Sequence, residues 1–237
     1  AGLNVREIIR EPAASAIAYS RTGHGGIAGP DGDRMNSDQN VLVYDLGGGT
    51  FDSCVVNVKS DPLEVVTIEG DYELGGQNWD DVFADYLLEK WIEETGYQGE
   101  HPFEDPVTRY NFSTEAEKAK IRLTSRESVP VPLVHQNRVA RIEVTRKEFD
   151  DLTAFLLEAT IEMTSRALDT ARNLNCEVSK ILLTGGSSNM PQVTGALERE
   201  FGLPLSLYFP EESVARGAAL CAHDLAVGRP SPVRNIC

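Results

Sequence analysis

The chain is short of cysteine, of cations and of long apolar runs, and each shortage excludes something. Four cysteines in 237 residues, Cys54, Cys176, Cys221 and Cys237, form no C-x-x-C pair, and a single neighbouring histidine, His223 beside Cys221, makes no ligand cluster. That argues against a disulfide scaffold, a zinc site or a redox pair. Lysine plus arginine total 22 against 37 aspartate plus glutamate, a formal net charge of −15. A surface of that sign repels nucleic-acid backbones and anionic lipid, so neither nucleic acid nor membrane is an expected partner. No stretch approaches the roughly 20 apolar residues of a spanning helix, and no basic region followed by an apolar run opens the chain, so a cytoplasmic location is expected. What is present is 41% hydrophobic and 25% charged residues, enough for one large domain or two lobes.

Periodicity sets out an α/β chain. A helix is expected from Glu11 to Tyr19, followed by a glycine-rich loop over residues 21–40. Within that loop Asp31-Gly-Asp33 hints at calcium, but Met35 stands where the pattern needs Asp or Asn, which favours a solvated loop. Strands are expected at 41–46, 53–58 and 63–68, then helices at 78–94 and from Ser113 to Leu123, the latter capped by Ser113 or Thr114 with Glu117. Two short strands, 129–134 and 138–144, precede a long amphipathic helix over 146–173. A strand at 180–184, a helix to Phe201, a short strand at 205–207 and a helix over 212–226 complete the alternation, and the tail from Val227 reads as disordered. Trp79 and Trp91 mark either a partner surface or core, and helical spacing favours core for Trp91.

Chemistry concentrates in the loop Asp45-Leu-Gly47-Gly48-Gly49-Thr50-Phe-Asp52. Three glycines without Cβ atoms let backbone N–H groups approach an anion closely. Asp45 and Asp52 bracket the loop with negative charge, which suits a phosphate only if a divalent cation lies between them. A Mg²⁺-nucleotide resolves the conflict, with the Thr50 hydroxyl available to a terminal phosphate or an attacking water. Thr184-Gly185-Gly186-Ser187 is a second strand-to-glycine junction before a helix, which serves either tight packing or ligand binding. Leu74-Gly75-Gly76 is open to the same two readings.

In this order the segments Ile8–Tyr19, Asp45–Asp52, Leu74–Gly76 with Asp80, Glu115–Ile121, Leu183–Ser187 and Pro210–Ala219 resemble the second half of the nucleotide-binding domain of the 70 kDa heat-shock chaperone family. The resemblance spans nearly the whole chain. It implies an actin-like ATPase lobe of ribonuclease H-like fold, with residues 1–35 ending the first lobe, 36–74 and 153–226 forming the core of the second, 75–152 an inserted α+β upper subdomain and 227–237 a tail. It further implies that ATP or ADP binds with Mg²⁺, and that Glu11, Asp45 and Asp52 order the metal's waters. Gly47, Gly48, Gly49 and Thr50 would face the β and γ phosphates, with Thr50 counted beside Glu11, Asp45 and Asp52 among the catalytic residues. Gly76, Glu117, Lys120 and Thr124 would hold ribose and adenine, with Gly185, Gly186, Ser187 and Glu211 below. Read from the residues alone, Lys120 is also compatible with a solvated helix charge beside Glu115, Glu117 and Lys118.

The sequence departs from the family pattern at Ile121 and Asn189, where arginines often flank the adenine, at Glu211 for a common aspartate, and at Gln77-Asn78 for an acidic pair. The first phosphate loop has no counterpart, and the chain opens without methionine, so a second lobe cut from something longer is expected, hydrolysing little ATP alone. Implied partners are the missing first lobe, a peptide-binding domain, and a J-domain cochaperone or nucleotide-exchange factor. A small-molecule kinase of the same superfamily, and a non-catalytic interaction module, remain alternatives.

Overall fold

The computed structural model of the chain describes residue 2, residues 4–25 and residues 40–234, without the side chains of residues 22–25. The Asp31-Gly-Asp33 segment, most of the glycine-rich loop and Cys237 lie outside the described residues.

Helix α1 covers Glu11–Gly25, six residues beyond the expected end at Tyr19. Strands β1 (Asn40–Leu46), β2 (Phe51–Asn57) and β3 (Leu63–Asp71) form an antiparallel meander. Strand β6 (Val178–Thr184) lies parallel to β1 on its other side, β7 (Leu205–Leu207) parallel to β6, and β8 (Val233–Arg234) parallel to β3. The order β7-β6-β1-β2-β3-β8 buries β1 at the centre, which is why Val41–Leu46 is an unbroken buried run rather than an alternating one.

Its side chains divide by parity between two layers. Val41 and Val43, with Cys54 and Leu182, pack under α1 and α6 (Ser213–Ala226). Gly217 of α6 lets those helices meet, since a Cβ there would lie 1.7 Å from the Ala14 carbonyl oxygen. Leu42, Tyr44 and Leu46 face α4 (Arg146–Asn173), where the Tyr44 hydroxyl donates to Thr160 Oγ1 at 2.8 Å. Thr145 and Glu148 form a reciprocal capping box that starts α4 on the expected residue.

Beyond α4 the same hydrophobic cluster continues into α2 (Gly76–Thr95), α3 (Pro106–Leu123) and the hairpin of β4 (Ser128–His135) with β5 (Arg138–Thr145). Trp79 and Trp91 are both fully buried in it, so neither belongs to a partner surface. Helix α5 (Pro191–Phe201) seats Val193 and Leu197 in that cluster and ends at Gly202 in the left-handed region, φ 61°.

Two expectations are corrected. Helix α3 starts at Pro106, not Ser113: Asp105 accepts from the Val107 and Thr108 amides, and the proline takes a first-turn position where no N–H is needed. Ser113 and Thr114 are therefore mid-helix rather than caps. The stretch after Val227 is ordered through Arg234, because Leu63 N donates to the Pro232 carbonyl at 2.8 Å and Arg229 pairs with Asp224 at 3.0 Å.

Candidate functional site

The turn between β1 and β2 is closed by a 3.0 Å bond from Gly47 N to Thr50 O, and the register places Asp45 opposite Asp52 at its base. Gly48 and Gly49 are exposed at the tip. Two loop carbonyls are turned toward α2: Gly76 N donates to Gly47 O at 2.9 Å and Gln77 N to Gly48 O at 2.8 Å. The first amides of a helix have no partner within it, so the loop satisfies them and α2 fixes the loop. A Cβ on Gly75 would lie 2.5 Å from Gly49 C, which makes glycine a packing requirement there.

On the other side of β1, Gly185 follows β6 with φ +81°, and a Cβ on it would meet Leu46 O at 2.3 Å and Asp45 Oδ1 at 2.6 Å. This is a left-handed position with no space for a side chain. The turn through Gly186–Asn189 then delivers Ser187 against Gly76, whose Cβ would stand 2.1 Å from Ser187 Oγ and 3.2 Å from Lys120 Nζ. Lys120 is 8% exposed and donates to Gly76 O at 2.9 Å and Asp80 Oδ2 at 2.8 Å, so it is not a solvated helix charge.

These pieces surround one cavity of about 740 Å³. Of the residues singled out in the sequence, Gly48, Gly76, Glu117, Lys120, Thr124, Gly186, Ser187 and Glu211 line it. Gly47, Gly49, Thr50 and Gly185 belong to the adjoining turns and Asp45 and Asp52 to the strand ends beneath, none of them on the cavity wall, and Glu11 is exposed at the start of α1.

The aspartates at the loop's base are electrostatically strained. Asp45 is 5% exposed and its Oδ2 has no hydrogen-bond partner. Its carboxyl is pushed up to about 6, first by burial and then by the charge of Glu11, with Asp52 adding less. Asp52 is also raised, by burial and then by Glu11, against a lowering from Arg10. The Glu11 charge thus raises the cost of ionising both aspartates, and a cation beside them would relieve it. Among the described residues no three acidic, histidine or cysteine side chains converge closely enough to ligate an ion directly. The donor set fits a cation held through its waters and a ligand's phosphates, as Mg²⁺ prefers.

A family model for Hsp70 protein matches residues 1–236. The chain belongs to the Hsp70 family. With that membership the mixed sheet, its two helical layers and the cavity at the strand ends are those of an actin-like ATPase fold, and the chain is of the chaperone type that binds nucleotide. No helix among the described residues is long and apolar enough to cross a membrane.

The Hsp70 site also has walls to which motif reading gave no ligand contact. Tyr110, Ser113, Thr114 and Met190 line the cavity, as do Asp80, Gln77, Ile121 and Asn189, which the sequence marked only as part of the upper-loop match or as departures from the family pattern. The signal for most was available in helical spacing. Tyr110, Ser113, Thr114, Glu117, Ile121 and Thr124 recur every three or four residues along one stripe of α3, and Asp80 lies four residues after Gly76 on α2. Asn189 Nδ2 donates to Gly186 O at 2.9 Å, so it braces the turn.

Proposed function

We propose that this Hsp70-family chain forms the second wall of a chaperone ATPase site, seating Mg·ATP or Mg·ADP between the 47–50 turn, α3 and the 185–189 turn. The observation that carries this reading is convergence. The glycine turn, the Gly75-Gly76 junction, the α3 stripe and the Gly185-Gly186 turn come from four separated segments and meet around one cavity of nucleotide size. A hairpin turn used only to reverse the chain would have no reason to bring an unpaired buried carboxylate to its base.

In this reading Gly47, Gly48 and Gly49 let the β and γ phosphates approach the turn, and Thr50 offers its hydroxyl to the terminal phosphate. Asp45, Asp52 and Glu11 hold the metal's waters and orient the attacking one. Glu117 and Lys120 meet the ribose, Thr124 the adenine, and Gly76, Gly185, Gly186, Ser187 and Glu211 shape the floor. Mg²⁺, when bound, supplies charge neutralisation of the phosphates; the protein's contribution is position and fixed charge. Ile121 and Asn189 give the adenine an aliphatic and an amide contact in place of guanidinium stacking. The proposed setting is the cytoplasm, and the proposed partners are a first lobe, a peptide-binding domain whose cycle hydrolysis drives, and a J-domain cochaperone or nucleotide-exchange factor. Because the family's first phosphate loop has no counterpart in residues 1–237, hydrolysis by this chain alone is expected to be slow.

The test is single-turnover ATP hydrolysis in the protein with both lobes present. Asp45→Ala and Asp52→Ala should each lower the rate by about two to three orders of magnitude. Wild-type rates in both variants would remove these roles.

A further inference from the structure

Lys120 is held in an unexpected direction. Its natural partner on α3 is Glu117, one turn earlier and lining the same cavity, within reach for an i,i+3 pair. Glu115 and Lys118, at the same spacing on this helix, do pair, at 2.8 Å. Lys120 instead crosses to α2, giving one proton to the Gly76 carbonyl and one to Asp80 Oδ2. An ammonium has three N–H bonds, so one is left for the cavity that the side chain lines. Glu117 forms no ion pair among the described residues and keeps its acceptors. Asp80 stands on the cavity wall but offers it no free oxygen, since Oδ2 takes Lys120 and Oδ1 is closed to solvent, so it acts on the cavity through Lys120.

We propose that Asp80 is a positioning residue for the nucleotide's sugar: by drawing the Lys120 ammonium onto α2 it keeps Lys120 from neutralising Glu117, and so preserves a donor and an acceptor that together read a vicinal diol. The inference rests on the nucleotide reading above and adds its specificity. Each hydroxyl of a ribose both donates and accepts, and a sugar lacking them leaves a charged donor and a charged acceptor unsatisfied. Without Asp80 the lysine is free to fold onto Glu117, and the pair closes on itself.

The experiment titrates the full chain with Mg·ADP and with Mg·2′,3′-dideoxy-ADP by calorimetry and compares the two affinities. The unsubstituted chain should prefer the diol by roughly ten- to a hundredfold. Asp80→Ala should bring the ratio close to unity, while a merely structural Asp80 would weaken both ligands together and leave the ratio intact. Asp80→Asn keeps the shape and a weaker bond to Lys120, and gives an intermediate ratio; it decides the matter if the alanine variant does not fold.

Acidity gives a further readout. The groups facing Asp80 are Lys120 and Glu117 from α3 and Asp81 on α2, and burial, the largest influence, outweighs Lys120 to hold Asp80 at about 6. Lowering the pH through about 6 should therefore shrink the ratio in the unsubstituted chain and leave it flat in Asp80→Asn. Any titration at the metal end acts on both ligands alike and cancels in the ratio. An unchanged ratio in folded Asp80→Ala or Asp80→Asn overturns the inference, as does equal binding of both ligands by the unsubstituted chain, which leaves the nucleotide reading standing. Binding of neither ligand overturns that reading and this inference with it.

Discussion

Two aspartates are buried at different places in this molecule, and they are treated in opposite ways. Asp224, 2% exposed on α6, receives Arg21 from α1 at 2.5 Å and Arg229 from the tail at 3.0 Å. Burial alone would raise its carboxyl, but the two guanidiniums hold it below the usual carboxylate range. Asp45, 5% exposed at the end of β1, has one oxygen with no partner and two neighbouring acids, and is raised to about 6. A buried carboxylate matched by cations from its own chain is architecture. One left unmatched, at the base of a glycine turn and beside an open cavity, is what the proposed Mg²⁺-nucleotide reading calls for.

The largest break in that contrast comes from Gly185→Ala. It places a Cβ at φ +81° and 2.6 Å from Asp45 Oδ1, against backbone that cannot move aside. The expected cost is about 3 kcal/mol in urea denaturation, from backbone strain and overpacking together. A cost below about 1 kcal/mol would mean that the β1–β6 junction yields to a side chain and is not tightly closed.

Asp224→Ala should cost less, about 1–2 kcal/mol. Both arginines are partly exposed, at 40% and 62% for their side chains, so water takes over some of the lost pairing. Nucleotide affinity should be unchanged, which separates this aspartate from Asp45.

The two also titrate stability in opposite senses. Asp45 has a folded pKa above its unfolded value, so it contributes stability fully present below about 4 and lost as pH rises through about 6. Asp224 has a folded pKa below its unfolded value, so its contribution is present above about 4 and lost as pH falls further. Melting temperatures against pH should show the first slope flattened in Asp45→Asn and the second in Asp224→Asn. Parallel curves for all three proteins would erase the distinction.

The smallest effect probes how the tail is fastened near Asp224. Val233, 5% exposed on β8, should cost about 1 kcal/mol when cut to alanine, with faster amide exchange at Leu63. Unchanged exchange would show that Arg229 alone holds the tail.

The sheet and α4 were legible in the sequence because β-branched runs and a reciprocal capping box are local signals, as Val41–Leu46 and Thr145–Glu148 show. The glycine turn was legible for the same reason: Asp45, Gly47–Gly49 and Asp52 lie in one stretch. The start of α3 was misplaced because two cap signals competed, and the Asp105-Pro106 pair, which combines a side-chain cap with a first-turn proline, wins over Ser113. The ordered tail was missed because its anchors, Leu63 and Asp224, are supplied by other elements. Asp80 was named with the upper loop, but its pairing was not legible for that reason too: nothing near it in sequence shows that it captures a lysine forty residues away.

The most direct test of the unmatched-carboxylate account is a thermal-shift titration of the full chain with ADP, with and without Mg²⁺, repeated in Asp45→Asn. A ligand that binds only the folded state stabilises it by about 2.7 kcal/mol at a hundredfold excess over Kd. The account predicts a saturable shift that needs Mg²⁺ and shrinks in Asp45→Asn. A shift of the same size without the metal, or an undiminished one in Asp45→Asn, would contradict it.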